Sequence, residues 1–72
     1  MNIRYYISIT AYIAPEKISH PYYFELLDNT SEDMLKINKW LDDNEITDFK
    51  WFGRNLCMRN ESDAMLFRLT WV

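Results

Sequence analysis

Apolar and polar residues alternate along residues 3–13, which read IRYYISITAYI. Most odd-numbered positions carry isoleucine, and the even-numbered positions include Tyr6 and Tyr12. Successive side chains of an extended strand point to opposite faces, and β-branched and aromatic residues favour strands. The pattern therefore predicts a long first strand over residues 3–13, with a loop that begins at Pro15.

Two further segments alternate in the same way. Residues 22–27 (YYFELL) predict a second strand, with Tyr23 on the opposite face from its two neighbours. Residues 47–59 (TDFKWFGRNLCMR) place Trp51 in a further alternating run, which turns at Gly53-Arg54-Asn55 and returns as LCMR. Two short strand-like runs on either side of a glycine-containing turn predict a β-hairpin.

A helical pattern separates these strands. Residues 31–43 (SEDMLKINKWLDD) carry Met34, Ile37 and Leu41 on one broad stripe, as an amphipathic helix does. The acidic residues in the first turn favour the positive end of the helix dipole. Asn44 follows the helix and is a suitable residue for a left-handed cap at its end.

The C-terminal segment, residues 60–71 (NESDAMLFRLTW), permits two interpretations. Its last residues alternate like a half-buried strand, whereas its polar start is typical of a helix. The segment also matches residues 29–40 (NTSEDMLKINKW), because Asn, Ser, Met, Leu and Trp coincide at an offset of 31, which pairs Trp40 with Trp71. The match favours a helix over residues 62–70 and an internal repeat, while a final strand stays open.

Two ββα units in tandem predict an α+β fold with two layers. A mainly antiparallel sheet would carry two helices on one face, in a permuted ferredoxin-like arrangement. Residues 1–72 would form a single compact domain, as expected for a chain of this length. The residues expected in the core are Ile7, Ile9, Met34, Ile37, Leu41, Trp51 and Phe67.

Composition and charge limit which partners and which cellular compartment are expected. The chain has a net charge of −3, and its eight Lys and Arg are scattered, which disfavours nucleic acid as a partner. Cys57 is the only cysteine, so no internal disulfide is possible and a reducing compartment fits best. The sequence has no signal-peptide pattern and no run near the roughly 18 apolar residues of a membrane span. These features predict a soluble cytoplasmic protein without a membrane partner.

Candidate catalytic chemistry is sparse. His20 lies between two predicted strands, where an ordinary loop histidine is the favoured interpretation, and Cys57 in a strand is favoured as a structural residue. A Cys57–His20 dyad is the only possible nucleophilic pair, and no feature of the sequence brings the two together. A single glycine excludes a phosphate-binding loop. The sequence therefore predicts no enzyme, no catalytic residue, no metal and no cofactor.

Aromatic residues make up 17% of the chain, more than one small core can bury if neighbours on a strand face opposite ways. Some should stand on the sheet face away from the helices, where they would suit a protein partner, a second copy of the chain or, with less support, RNA. Acids after the first long helix would then steer a basic partner. The predicted partner-binding residues are Tyr6, Tyr12, Tyr23, Asp42, Asp43 and Glu45.

Residues 48–71 add a resemblance to known proteins. An aromatic hairpin, an acidic Asp63-Ala64 step and a final LFxLxW pattern resemble the ends of small uncharacterised phage proteins. The matching residues are Asp63, Ala64, Leu66, Phe67, Leu69 and Trp71. The resemblance implies a compact accessory protein made in the host cytoplasm during infection.

The expected function is a small non-enzymatic protein that binds a protein partner. The resemblance implies a phage protein that inhibits or redirects a host protein, including a defence system. The alternative is a homodimeric structural or regulatory module, and a small RNA-binding domain comes third.

Overall fold

The chain forms one four-stranded antiparallel sheet with helices between and after its strands. A computed structural model describes residues 1–14, 18–28 and 31–72. The sheet has the order β1-β2-β4-β3, and all three neighbouring pairs are antiparallel. In chain order the elements are β1 (Ile3–Ile7), α1 (Ile9–Ile13), β2 (Tyr22–Leu26), α2 (Ser31–Asp43), β3 (Phe49–Phe52), β4 (Asn55–Met58) and α3 (Glu61–Trp71).

The predicted α+β class is confirmed. Helices α2 and α3 both cover one sheet face: Phe67 of α3 packs against Phe24 of β2 with ring centroids 4.4 Å apart. On the other side of the sheet's centre, the Trp51 indole N–H donates to Asn38 Oδ1 of α2 at 2.8 Å. The strand order and pairing are compatible with the permuted ferredoxin-like arrangement.

The long first strand was wrong beyond Ile7. Strand pairing with β2 ends where the Ser8 amide donates to the Pro21 carbonyl at 2.9 Å. Pro21 has no N–H to return a hydrogen bond, so the ladder stops there and the chain turns into the short helix α1. Consequently Ile9 is 73% exposed rather than part of the core. Pro15 lies outside the described residues.

The end of α2 differs from the prediction in one detail. The residue in the left-handed conformation is Glu45, with φ of 57°, and not Asn44. The Ile46 amide donates to the Leu41 carbonyl and the Glu45 amide to the Asp42 carbonyl, at 2.9 and 3.0 Å. These two bonds form a Schellman motif, in which Ile46 returns to the core beside the last turn.

The C-terminal segment is helical, as the match between the two segments predicted, and the alternative of a final strand is wrong. Its buried residues are Ala64 and Phe67, which lie three positions apart on one face of α3. The alternating apolar residues before Val72 are therefore distributed around a helix, and Leu69 among them is 83% exposed.

The core lies between the sheet and the two long helices. Most of the predicted core is confirmed as buried or as packed against buried residues, whereas Ile7 is half-buried outside this cluster. Because the residues around Ile9 do not form the predicted strand, the N-terminal strands contribute to the buried core mainly through β2. The buried cluster comprises Phe24, Leu26, Ile37, Leu41, Ile46, Leu56, Met58, Ala64 and Phe67.

Candidate functional site

The sheet surface opposite α2 and α3 carries two rows of side chains, fixed by strand register. One row runs Tyr6, Tyr23, Cys57, Lys50 and the other Arg4, Glu25, Asn55, Phe52. Their neighbours along each strand, such as Phe24 and Leu56, point into the core. We call these eight residues the open face.

Tyr6 and Tyr23 form the aromatic centre of the open face. Their rings are paired across strands with centroids 5.3 Å apart and planes tilted by 40°. The Tyr6 hydroxyl donates to Asn55 Oδ1 at 3.2 Å, and the Arg4 guanidinium lies 4.9 Å from the Tyr6 ring centroid. These contacts hold the two rings in place, so they form a pre-organised surface.

A cleft of about 220 Å³ opens beside Tyr23. It is smaller than the roughly 300–1,000 Å³ of typical small-molecule sites. Its walls come from the open face and from the loop that precedes β2. The lining residues are Ile18, Ser19, His20, Tyr23, Lys50, Phe52 and Cys57. Mixed apolar and polar walls of this size suit a single inserted side chain.

His20 anchors the loop that forms one wall of the cleft. Its ring is only 7% exposed and both nitrogens have partners: Nδ1 lies 2.7 Å from Ser19 Oγ, and Nε2 lies 3.1 Å from Asp48 Oδ1. Arg59 extends the network, because its Nε is 3.5 Å from Asp48 Oδ2 and donates to the Ser19 carbonyl at 3.3 Å. The loop is thereby tied to the residues that directly precede β3 and directly follow β4.

Cys57 forms the buried floor of the same cleft. Burial raises the pKa of its thiol, and the hydrogen bond with Tyr23 opposes that shift only in part. Burial also raises the pKa of the Tyr23 hydroxyl, with a further contribution from Cys57. Because the thiolate is the nucleophilic form, a raised pKa makes Cys57 a poor nucleophile at neutral pH.

Burial is likewise the first cause of the raised pKa of the Tyr6 hydroxyl, and the Glu25 carboxylate adds to it. Both tyrosines of the open face therefore stay neutral at physiological pH. They offer apolar rings with hydroxyl donors and acceptors, which is the character of tyrosine at protein interfaces.

Charge on the open face is limited and mostly compensated. Glu25 is the only acid among the eight residues, and its Oε1 lies 2.9 Å from Arg4 Nη2. Lys50 is exposed, and no described residue forms an ion pair with it. Among the described residues that line the cleft, Lys50 is therefore the one Lys or Arg, while six described carboxylates belong to α2 and α3.

The predicted partner-binding residues do not form a single surface. The structure brings Tyr6 and Tyr23 together, while Tyr12 belongs to α1 and its side chain lies outside the described part of the structure. The acids form a separate group at the end of the helix layer, away from the open face. That group consists of Asp42, Asp43 and Glu45.

Sequence reasoning missed two parts of the site. Phe52 is 65% exposed at the rim of the cleft, although its alternation with the half-buried Trp51 placed it on the outer face. The contact between His20 and Asp48 joins residues 28 positions apart, and no local pattern predicts it. The signal in the sequence for Phe52 was its position next to Trp51, because the neighbour of an inward-facing strand residue faces outwards.

A second exposed apolar surface lies on α3. Met65, Leu69 and Val72 line a shallow depression together with Arg68, and the adjacent Leu66 is also exposed. It lies on the helix layer and is separate from the open face.

Residues 1–14, 18–28 and 31–72 contain neither a metal-binding cluster nor a membrane-spanning helix. Within these ranges no group of three or more His, Cys, Asp or Glu is arranged to hold a metal ion. None of the helices described there has the length and apolar content to cross a bilayer. Comparisons of the chain with protein-family models, curated proteins and solved structures find no match.

Proposed function

We propose that this chain is a small non-enzymatic protein that binds a partner protein through its open face. The observation that carries the proposal is the position of Phe52, which is exposed at the rim of a cleft beside Tyr23 and Lys50. Phe52 and Tyr23 are grouped around one pre-formed cleft, and aromatic side chains grouped in this way at a surface are typical of an interface.

The arrangement has the parts of a binding site. Tyr6 and Tyr23 offer a large rigid area that loses little conformational freedom on binding. Asn55 and the Arg4–Glu25 ion pair surround them with polar groups that can stay hydrated at a rim.

The chemistry of the cleft favours binding over catalysis. Its thiol is held in the neutral form, and both ring nitrogens of its histidine are already engaged in anchoring the loop. A hydrogen-bonded Ser–His–Asp chain, as in Ser19–His20–Asp48, also occurs in hydrolytic triads. Here the chain of bonds connects a loop to a hairpin and leaves the histidine almost fully buried, which supports a structural role.

For the partner, we propose a host protein that the chain inhibits or redirects in the host cytoplasm, such as a component of a defence system. The likeness of residues 48–71 to small phage proteins supports this choice, and the free Cys57 agrees with a reducing compartment.

Self-association is the second candidate function. It is favoured by the apolar surface on α3, where Leu69 and its neighbours are exposed together. A homodimer that buries this surface would still leave the open face available for a partner, because the two surfaces belong to different layers.

A capture experiment with matched variants tests the proposal. The tagged chain, Phe52→Ala and Leu35→Ala are each used to capture proteins from the cells in which the chain is naturally made. Phe52 and Leu35 are similarly exposed, at 65% and 68%, but lie on opposite layers. We expect the specific partner to be retained by the parent and Leu35→Ala and lost by Phe52→Ala. Equal retention by all three would refute the open face as the site.

A further inference from the structure

We infer that the cleft recognises a protein segment in which an apolar anchor side chain stands next to a carboxylate. The inference rests on the proposed function and deepens it by naming the chemistry of the partner. It differs from the sequence-based expectation, in which Asp42 and Asp43 would attract a basic partner.

The anchor is inferred from the shape and walls of the cleft. Ile18, Tyr23 and Phe52 supply apolar surface around an opening of about 220 Å³, with the buried Cys57 thiol as the floor. The network around His20 fixes the loop wall, so the opening is present before a partner arrives. A pre-formed pocket that accepts one side chain is the usual setting of an interface hot spot.

The carboxylate is inferred from charge complementarity. Lys50 lines the cleft and no described residue pairs with it, whereas Arg4 is already compensated by Glu25. An acid beside the anchor would form a charge-assisted contact with the Lys50 ammonium group. The carboxylates of α2 and α3 lie in the opposite layer, and salt screens them over about 8 Å at physiological ionic strength.

Nucleic acid fits this charge distribution less well. Phosphate backbones are held by several Lys and Arg side chains, about 6–10 in a typical DNA complex. The described lining of the cleft offers one Lys or Arg, Lys50, which suits a single acidic side chain.

Parallel selections from a displayed library of random twelve-residue peptides test the inference. The baits are the full chain, Lys50→Glu and Lys39→Glu, the last of which reverses an exposed lysine on α2 that lies 3.8 Å from Asp43. Peptides selected on the parent should be enriched in Asp or Glu close to an aromatic or leucine residue. They should bind Lys50→Glu at least tenfold more weakly, and Lys39→Glu with unchanged affinity.

The outcomes separate this inference from the proposed function. Peptides that lose binding in Phe52→Ala but carry no acidic enrichment would overturn the inference and leave the open face as the site. Peptides that bind Phe52→Ala and Lys50→Glu as tightly as the parent would overturn both the inference and the proposed function. The acidic-segment inference would also be overturned if a twelve-nucleotide oligouridine bound the chain more tightly than the selected peptides do. A homodimer of the chain that Lys50→Glu dissociates would overturn it too, as would a selection that recovers no peptide.

Discussion

Trp40 of α2 and Trp71 of α3 meet edge to face, with ring centroids 6.3 Å apart and planes at 84°. Both rings also contact the buried ring of Phe67, at 5.6 and 6.3 Å. This aromatic cluster joins the two long helices above the sheet. It connects the N-terminal and C-terminal halves of the chain directly, so each half depends on the other for part of its core.

We predict measurable coupling between the two tryptophans. In a double-mutant cycle of Trp40→Leu and Trp71→Leu, the coupling free energy of unfolding should be about 0.5–1.5 kcal/mol, because edge-to-face pairs contribute that much beyond buried area. Urea denaturation gives the four values. The control cycle pairs Leu35→Ala with Trp71→Leu, whose effects should add. Additive effects in the tryptophan cycle would show that the pair contributes nothing specific.

We predict that replacing Glu45 with glycine stabilises the fold. Its φ of 57° lies in the left-handed region that favours glycine, so Glu45→Gly should raise the free energy of unfolding by about 0.5–1 kcal/mol. Glu45→Ala removes the same charge but keeps a Cβ, and should gain less. Asp43→Gly places glycine inside the helix instead and should cost about 1 kcal/mol. The idea fails if chemical denaturation ranks Glu45→Gly below Glu45→Ala.

His20 gives a prediction about the cleft. His20→Ala removes a buried ring with two hydrogen-bonded nitrogens, so unfolding should become easier by about 1–3 kcal/mol. Ser19→Ala should cost less, because Ser19 is exposed. Thermal melts provide the comparison. If His20→Ala melted at the temperature of the parent, the loop could not be anchored as described.

The Cys57 thiol gives a dependence of stability on pH. Its pKa is raised in the folded chain, so the unfolded chain ionises first once the pH exceeds the ordinary thiol value of about 8.5. Between that pH and the folded pKa, the folded state holds more protons, and its stability must fall as the pH rises. Relative to Cys57→Ala, the parent should therefore lose stability from pH 8 to pH 10. A constant difference in denaturation midpoint would contradict the shift.

Sequence patterns predicted the elements in which local preference and tertiary packing agree. Helix α2 has its apolar stripe where the core needs it, and the hairpin turns at Gly53, whose positive φ of 56° is easily adopted by glycine. The first strand failed because alternation at Ile9 has no partner strand beyond Pro21. Alternation in the sequence predicts which face of a strand each side chain would occupy. It does not show that a neighbouring strand is present to pair with.

The internal repeat illustrates a subtler difference. The matched letters have an offset of 31, but burial repeats at an offset of 30: the buried Ile37 corresponds to the buried Phe67, and the buried Leu41 to the partly buried Trp71. The matched leucines, Leu35 among them, are exposed. The two long helices were therefore predictable from the matched segments, while the equivalence of individual residues was not, and α1 between β1 and β2 departs from the predicted ββα order.

The candidate site was predictable only in part. Tyr6 and Tyr23 follow from strand alternation, because odd and even positions of paired strands separate cleanly. The cleft depends on a loop held by Asp48 from a distant segment, and long-range contacts of that kind leave no local periodicity to detect.

Hydroxyl-radical footprinting of the unmodified chain, alone and bound to its captured partner, tests the central claim most directly. It reports the solvent exposure of individual side chains without any substitution. Binding through the open face predicts strong protection of Phe52 and Tyr23, with Leu35 and Leu69 as reactive as in the free chain. Protection of Leu69 with unchanged reactivity at Phe52 would contradict the account and would place the partner on α3.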